Sequence, residues 1–571
     1  MSAYAPRPIP SGTEIDEAPY SSLVRRLLLV RGITKRDDAE RFLIPDWERD
    51  THDPFLMKDM QTAVDRILRA MEGGETITIW SDYDMDGIPG AALLYDCFRT
   101  LGYKHVLHHT PHRNKDGFGL NRTGLEELKD AGTSLVITID CGIGDVEQVA
   151  YANTLGLDVI VTDHHLPHET LPPALAILNP KQEGCTYPEK MLCGAGVAFK
   201  LVQALLAHIR ANSTSFTAPT PGWERWLLDM AGMSTIADMV PLQGENRAMA
   251  HFGLVVLRKS RRPGLQALLK KARANQRMLT EDDVGFTIAP RINAASRMGH
   301  ARDAFRLLST QDMLEAEQLA EALDRINKER KTVVATMKRE IQRRIERSGE
   351  PKSVIVMGNP EWKPSLLGLV AGGLAEEYGR PVFLWGREEG TVIKGSCRSD
   401  GVTNVFEVMH EVKETFVEYG GHAYSGGFSL AQEQVHALEE ALVEAHAKLG
   451  AKKAVAHAFY DAELVLGDIT WDTYRSIQRL APFGEGNPKP LFMLRDVTLS
   501  SVRTFGKGNE HLEVSFGDER GGTIKAIAFF SHADAFSVSL HTDETVSLLV
   551  HLEASYFRYK PELRLRLIDV V

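Results

Sequence analysis

The chain has 571 residues, 43% of them hydrophobic and 25% charged, and a net charge of −11. That length exceeds what one hydrophobic core serves and points to three or four domains, while the acidic balance argues against a protein that coats DNA by bulk charge. Five cysteines (Cys97, Cys141, Cys185, Cys193, Cys397) without a CxxC pair argue against a disulfide framework or a cysteine zinc site.

The start is Pro-rich and lacks an apolar segment of signal-peptide type, and no apolar run is long enough to span a bilayer. The expectation is a cytoplasmic protein with no membrane contact. Residues 1–55 carry no chemical motif. From about residue 75 the pattern becomes strand, turn, helix, repeated: strands over 75–80, 104–109, 135–139 and 158–162, helices over 90–101, 123–131 and 145–156. Such alternation predicts an α/β domain with a parallel sheet covered on both faces. A buried helix over 194–212 and further helices to about 308 follow. Residues 312–347 are highly charged and free of Gly and Pro, which predicts one long helix joining two domains. A second, smaller α/β unit begins with a strand over 353–357, a helix over 366–378 and a strand over 381–385. Beyond about 455, short strands over 511–516, 523–530 and 545–553 separated by Gly turns predict a small barrel of OB type. The expected division is an N-terminal segment 1–55, a catalytic domain 56–310, a connecting helix 311–349, a substrate-binding domain 350–450 and an OB-like β-barrel 455–571.

Chemistry concentrates at predicted strand ends. Asp82, Asp84 and Asp86 alternate directly after the first strand. Carboxylates this close repel unless a cation holds them, and hard oxygen ligands favour Mg²⁺ or Mn²⁺. A solvated acidic turn is the competing reading; an EF-hand is not, since its position-12 ligand is missing. Asp140 follows the strand over 135–139, and Asp163-His164-His165 follow the strand over 158–162, so three strands deliver acids and imidazoles to one sheet edge, where open α/β sheets bind ligands. Asp238 is a lone charge in the apolar run 235–242, explained by a metal, a helix cap or a buried ion pair. So many ligands suit two ions roughly 3.5–4 Å apart that activate water and neutralise a phosphoryl group, and imidazole favours Mn²⁺ over Mg²⁺.

The order and spacing of Asp82-Tyr83-Asp84-Met85-Asp86-Gly87, Asp140, Asp163-His164-His165 and Asp238 resemble the four motifs of the DHH phosphoesterase superfamily. The resemblance implies that Asp82, Asp84, Asp86, Asp140, His164 and Asp238 bind two metal ions with Asp140 bridging, that His165 faces the scissile phosphate, and that Asp163 orients a histidine. Three later segments resemble the RecJ family of exonucleases: Pro290-Arg291-Ile292-Asn293-Ala294-Ala295-Ser296-Arg297, where Ser296 replaces the usual Gly; Gly395-Ser396-Cys397-Arg398 and Gly420-Gly421-His422-Ala423, motifs of a DHHA1 substrate domain; and the segment 480–488, Leu-Ala-Pro-Phe-Gly-Glu-Gly-Asn-Pro, at the entry to the OB domain. Substrate-binding candidates are therefore Arg113, Arg291, Asn293, Arg297, Ser396, Arg398 and His422. Arginines there can grip phosphate bidentately, against surface salt bridges as the plainer alternative. His112, Lys363, Ser365 and Ser425 depart from the family pattern in the substrate region.

The resemblance implies a single-stranded-DNA-specific 5′-to-3′ exonuclease that releases mononucleotides in recombination and repair. Single-stranded DNA is the substrate, with a single-stranded-DNA-binding protein and a helicase as family partners. An oligonucleotide or cyclic-dinucleotide phosphodiesterase with the same metals is the alternative, and a DNA-binding scaffold with a dead site would lack the intact acids. A cleft is expected between the DHH and DHHA1 domains, widened by the OB domain. Basic runs at 258–262 and 328–347 could track a backbone. In the OB region Phe505, Lys507, His511, Tyr556, Phe557, Arg558, Tyr559 and Lys560 are candidate stacking and charge contacts, since neighbouring strand residues cannot all face inward.

Overall fold

The computed structural model describes residues 4–113, 115–212, 214–387, 392–450, 459–506, 508–517, 522–536, 538–555 and 561–571. The chain forms two compact units, one of Asp53–Asp238 with Gly253–Val455, the other of Met1–His52, Met239–Phe252 and Ala456–Val571.

The first unit begins with helix α1 (Met60–Gly73) and strand β1 (Thr76–Ser81). Then come α2 (Gly87–Thr100), β2 (Val106–His109), α3 (Arg122–Asp130), β3 (Thr133–Ile139), α4 (Val146–Thr154), β4 (Asp158–Thr162) and the short β5 (Ala176–Leu178). The five strands are parallel in the order β2-β1-β3-β4-β5. The strands are apolar throughout because both faces are covered: Trp80 packs with Leu125, Leu128 and Val149 on one face, while Ile77 and Ile79 point to the other. The order reverses at β1 and β3, so the loops leaving these two strands diverge and open a crevice at their carboxyl ends.

Helices α5 (Gly194–Ala211), α6 (Leu228–Ala237), α7 (Pro263–Ala272), α8 (Ala289–Met298) and α9 (Arg302–Ser309) follow. The connecting helix α10 runs over Met313–Ser348, with Asp312 as its N-cap accepting from Leu314 N at 2.7 Å. It packs along α7 and α8 and leads to a second sheet of β6 (Ile355–Gly358), β7 (Val382–Arg387), β8 (Ile393–Arg398), β9 (Glu418–His422) and β10 (Ser425–Leu430), in the order β9-β10-β8-β7-β6. Only β6 and β7 are parallel. Helix α11 (Pro364–Tyr378) and the end of α10 cover the face carrying Val382 and Leu384, whereas Phe383 faces α12 (Val405–Glu411) and α13 (Leu438–Leu449).

In the second unit the strand Ala462–Glu463, β11 (Phe492–Thr498), β12 (Ser501–Phe505), β13 (His511–Gly517), β14 (Thr523–Phe529), β15 (Thr545–Ser555) and β16 (Glu562–Val570) form one mixed seven-stranded sheet. Ile15, Val24, Leu27 and Leu28, from the segment without chemical motifs, share its core with Phe492, Leu548 and Val550. The segment 480–488 is structural. Asn487, fully buried, donates to the carbonyls of Leu480 and Pro482 at 2.8 Å and accepts from Arg31 Nε at 2.7 Å.

Candidate metal centre and phosphate cleft

Three acids leave the first sheet at equivalent places. The amide of Asp82 donates to Ile139 O at 3.0 Å, that of Asp140 to Thr162 O at 2.9 Å and that of Asp163 to Leu178 O at 3.0 Å. Each therefore continues the ladder one residue past its strand, and the acids line up along the crevice. Asp140 adopts a left-handed backbone, φ 61°, a conformation that aspartate and asparagine tolerate better than most residues.

The Asp84 carboxylate accepts from Asp86 N at 2.7 Å, tightening the turn. Asp86 accepts from Gly194 N at 2.5 Å and Ala195 N at 2.8 Å, which joins it to the amino end of α5. Gly194 has no room for a side chain: a Cβ there would lie 2.6 Å from Asp140 Cβ. Asp238 sits at the carboxyl end of α6, where the helix dipole disfavours an anion. It is neither an N-cap nor part of an ion pair with Lys or Arg among the described residues; its neighbour is His164, Nε2 to Oδ2 3.6 Å. The same Nε2 lies 3.2 Å from Asp140 Oδ1 and 3.7 Å from Asp86 Oδ2.

Ligand atoms of Asp82, Asp84 and Asp140 lie within 4.8 Å of one another, as do those of Asp86, His164 and Asp238, and those of Asp140, His164 and His165. Burial and then its acidic neighbours push Asp140 well above the usual carboxylate range, Asp82 likewise, Asp238 to about 9 and Asp86 to about 6. Burial, reinforced by His165, draws His164 down to about 4, so its ring is a neutral ligand. Oδ1 of both Asp82 and Asp140 is buried without a hydrogen bond. Orphaned carboxylate oxygens, repelling acids and a neutral imidazole are the donor set of a divalent-cation centre.

Asp163 accepts from Ile143 N at 2.9 Å, His164 N at 2.7 Å and His165 Nδ1 at 2.8 Å. Burial opposes its charge, but these bonds hold it below the usual range, and the bond to Asp163 raises His165 against the effect of burial.

Among the substrate candidates, Arg113 lies with its guanidinium 4.8 Å above the Tyr83 ring. Arg297 donates to Ser365 O at 2.9 Å and accepts through its own carbonyl from Ser365 Oγ at 2.8 Å, tying α8 to α11. Burial, then Arg113, Arg330 and Arg398, lowers Arg297 to about 10. Arg398 is lowered by burial and by Arg113, and it spends one donor on Cys397 O at 2.8 Å. These arginines thus form a self-repelling cationic group near Asp84, an arrangement that an anion relieves.

Arg291 is different. Its Nε and Nη2 both lie 3.0 Å from Asp324 Oδ1, and its Nη1 donates to Thr287 O at 2.7 Å. The fork is committed to α10. Asn293 Oδ1 is buried and unpartnered. Ser396 pairs with Gly427 across β10, and exposed His422 ends β9 opposite Ser425. The basic run 258–262 is not a free stripe: Arg262, its side chain 10% exposed, sits between Asp229, at 2.8 Å, and Asp96. On α10, Lys328, Lys338 and Arg344 each pair with an acid. A cleft of about 1040 Å³ is lined by Tyr83, Arg113 and Phe118 from the first sheet's loops and by Lys394, Gly395 and Tyr419 from the second sheet.

The chain matches the DHH family N-terminal domain over residues 76–221, the DHHA1 domain over 351–450 and the RecJ OB domain over 460–569. It is 32% identical to the single-stranded-DNA-specific exonuclease RecJ of Haemophilus influenzae, covering 99% of this chain and 98% of that one. The chain belongs to the RecJ family. Bacillus subtilis RecJ is 38% identical over 87% of this chain, which spans 62% of that protein's length. The structure of Thermus thermophilus RecJ in complex with Mn²⁺ superimposes with a TM-score of 0.77 at 28% identity, over 96% of this chain and 75% of that one. The corresponding Mg²⁺ complex gives a TM-score of 0.72 at 26% identity, over 96% and 74%. Both ions suit this chain's set of carboxylates and imidazole.

The structure adds residues that sequence reading missed in this RecJ-family site. Lys181 Nζ donates to the His164 carbonyl at 2.5 Å, and Asn179 Nδ2 donates to the His165 carbonyl at 2.9 Å, so the segment after β5 clamps both histidines. Three residues of strand were too short to read as one. Arg330, whose Nε is buried without a partner, lies in the basic run 328–347, which the sequence singled out only as a whole.

Proposed function

We propose that this RecJ-family chain is a single-stranded-DNA-specific exonuclease that removes mononucleotides from the 5′ end. The observation that carries this reading is the acid cluster around Asp140, with a self-repelling group of arginines whose member Arg297 interacts with Asp84. Asp82, Asp84, Asp86, Asp140, His164 and Asp238 would hold two divalent cations, Mn²⁺ or Mg²⁺. When bound, the cations polarise the phosphodiester and acidify water. Asp163 fixes the ring of His165, which offers its other nitrogen to the scissile phosphate. Arg113, Arg297 and Arg398 receive the terminal phosphate, with Ser396, Asn293 and His422 as polar contacts and Arg291 as a positioning residue. Gly420 of β9 and Gly427 of β10, where an added Cβ would meet nothing closer than 3.8 Å, leave backbone room for the strand.

Grip on long strands is assigned to the second unit. There His511 lies 5.2 Å from Phe505, 5.3 Å from Phe529 and 4.8 Å from Phe530 between ring centroids. Arg564 and Arg566 stand over Phe529 at 5.5 and 5.3 Å. Phe530 is 80% exposed, and exposed rings beside cations are the usual platform for single strands. Lys507, Tyr556, Phe557, Arg558, Tyr559 and Lys560, expected to contribute, lie outside the described residues.

A role in recombination and repair, with a helicase and a single-stranded-DNA-binding protein as partners in the cytoplasm, is part of the same proposal. No described helix is long and apolar enough to cross a membrane. Digestion of single- and double-stranded DNA labelled at either end, with and without Mn²⁺, tests the proposal. Release of 5′ label as mononucleotide from single strands alone, and only when the divalent cation is supplied, is expected; release of 3′ label first overturns the polarity.

A further inference from the structure

Ser365 and Arg297 are joined twice. Ser365 Oγ donates to the Arg297 carbonyl at 2.8 Å, and Arg297 Nη1 donates to the Ser365 carbonyl at 2.9 Å. Arg297 lies in the last turn of α8, whose final carbonyls have no donor within the helix, and Ser365 lies in the first turn of α11. A serine near a helix start ordinarily turns its hydroxyl to the nearby backbone. Here the hydroxyl crosses to α8 instead, and the N-cap of α11 is Lys363, whose side chain makes no capping bond. Ser365 is 7% exposed, so water competes poorly for either bond. The position departs from the family pattern, so the hydroxyl bond is this chain's own addition to the cleft.

The tie acts on a guanidinium that has reason to leave. Burial first, then Arg113 and Arg330, disfavour its charge, with Asp84 opposing them and Arg398 adding to them. Its Nε and Nη2 have no partner among the described residues. An arginine repelled by its neighbours relieves the repulsion by turning its head to water. Two bonds at once, one on the backbone and one on the head, fix both ends of the side chain and keep the head among the other arginines. Ser365 lines the cleft together with Tyr83 and Arg113, so the tie lies in the wall that an incoming 5′ end meets.

We infer that Ser365 is a positioning residue for the terminal phosphate: it holds Arg297 in the cleft before substrate arrives and so strengthens the preference of the enzyme for a 5′-phosphorylated end. This rests on the assignment of Arg297 to that phosphate above. Holding the arginine in advance lowers the cost of ordering it on binding, so the effect appears in affinity and KM and not in the chemical step.

The test uses the full chain with Mn²⁺ and single strands that carry a 5′ phosphate or a 5′ hydroxyl. Wild-type protein is expected to favour the phosphorylated end. Ser365→Ala should raise KM for the phosphorylated strand roughly 2- to 13-fold, the range of one hydrogen bond, keep kcat within about twofold and move KM for the hydroxyl strand much less. In an Arg297→Ala background the same change should move neither KM, because Ser365 acts through Arg297. Equal use of both ends by wild-type protein, an unchanged KM in Ser365→Ala, an equal rise on both strands, or the same rise in the Arg297→Ala background overturns the inference. Titration of the two strands without divalent cation reads the phosphate preference as a ratio of Kd values, whether or not the strand is cut. A reduced ratio in Ser365→Ala, with no 5′ nucleotide released by wild-type protein, would uphold the inference and overturn the exonuclease reading; an unchanged ratio with normal release would overturn the inference alone.

Discussion

Nδ1 of His165 lies 2.8 Å from Oδ1 of Asp163, and the same oxygen accepts the backbone amides of His164 and His165. One carboxylate therefore sets the ring and the backbone of the segment that carries both histidines. Asp163→Asn should lower kcat by about 10- to 100-fold, the usual effect of losing an orienting partner. In a His165→Ala background the same change should cost little, because the two residues act as a unit. Single-turnover rates of the four proteins check this; additive losses would separate Asp163 from His165.

Asp140 calls for an asparagine substitution. Alanine at φ 61° adds backbone strain that asparagine avoids. Asp140→Asn should abolish hydrolysis and also remove a buried anion repelled by its neighbours, so its melting temperature in EDTA should equal or exceed that of wild type. Wild type should gain about 2.7 kcal/mol at Mn²⁺ one hundredfold above Kd, and the variant much less. A variant stabilised by Mn²⁺ as strongly as wild type would remove Asp140 from the centre.

Arg398 and Arg291 should part company. Arg398→Ala is expected to raise KM for a 5′-phosphorylated strand about tenfold and to reduce the preference over a 5′-hydroxyl strand. Arg291→Ala breaks one of the two pairs of Asp324, which keeps Lys328 at 2.7 Å, and should act mainly through a loss of about 1–2 kcal/mol in stability, with the end preference retained. Loss of that preference in Arg291→Ala would return the residue to the phosphate site.

His108 is held neutral. Its Nε2 lies 2.9 Å from Ser81 Oγ and its ring stacks on Phe305 at 3.6 Å, while burial first, and then the neighbouring His109, draws it down to about 3. Below about pH 6.5 the unfolded chain takes up a proton that the folded chain refuses, so stability falls as pH drops towards 3. His108→Gln should be less stable at pH 7.5, and the gap should narrow by up to about 2 kcal/mol at pH 5. Denaturant melts at both pH values decide; a constant gap excludes the buried neutral ring.

Long-strand binding is better probed by point substitution than by ending the chain near Gly450, since that would strip Ile15, Val24 and Leu27 of their core partners. Phe530 adopts φ 54°, with its amide donating to His511 Nδ1 at 3.1 Å. Phe530→Ala should weaken binding of a long single strand roughly 5- to 100-fold at any salt, while hydrolysis of short oligonucleotides is unchanged. Arg566→Ala should instead flatten the salt dependence. Fluorescence titrations at two salt concentrations separate the two effects, and undiminished binding by both variants would move the grip elsewhere.

Local order was legible in the sequence because it follows from local causes. Alternating apolar strands and helices predicted the parallel sheet, and acids placed one residue past each strand predicted where they converge. The Gly- and Pro-free run ending near Arg347 predicted the connecting helix. The three-residue β5 and the antiparallel β8, β9 and β10 were not legible, since short or Gly-rich strands carry no period to read. Nor could the sequence say which arginines are free. Arg262 and Arg291 have the same composition signature as Arg297, yet two are neutralised by aspartates distant in sequence while Arg297 repels Arg113 and Arg398. The sequence by itself determined which residues have the chemistry to bind a metal and a phosphate. Tertiary structure decided which of them are released to do so, because ion pairing and burial depend on partners brought together only by the completed fold.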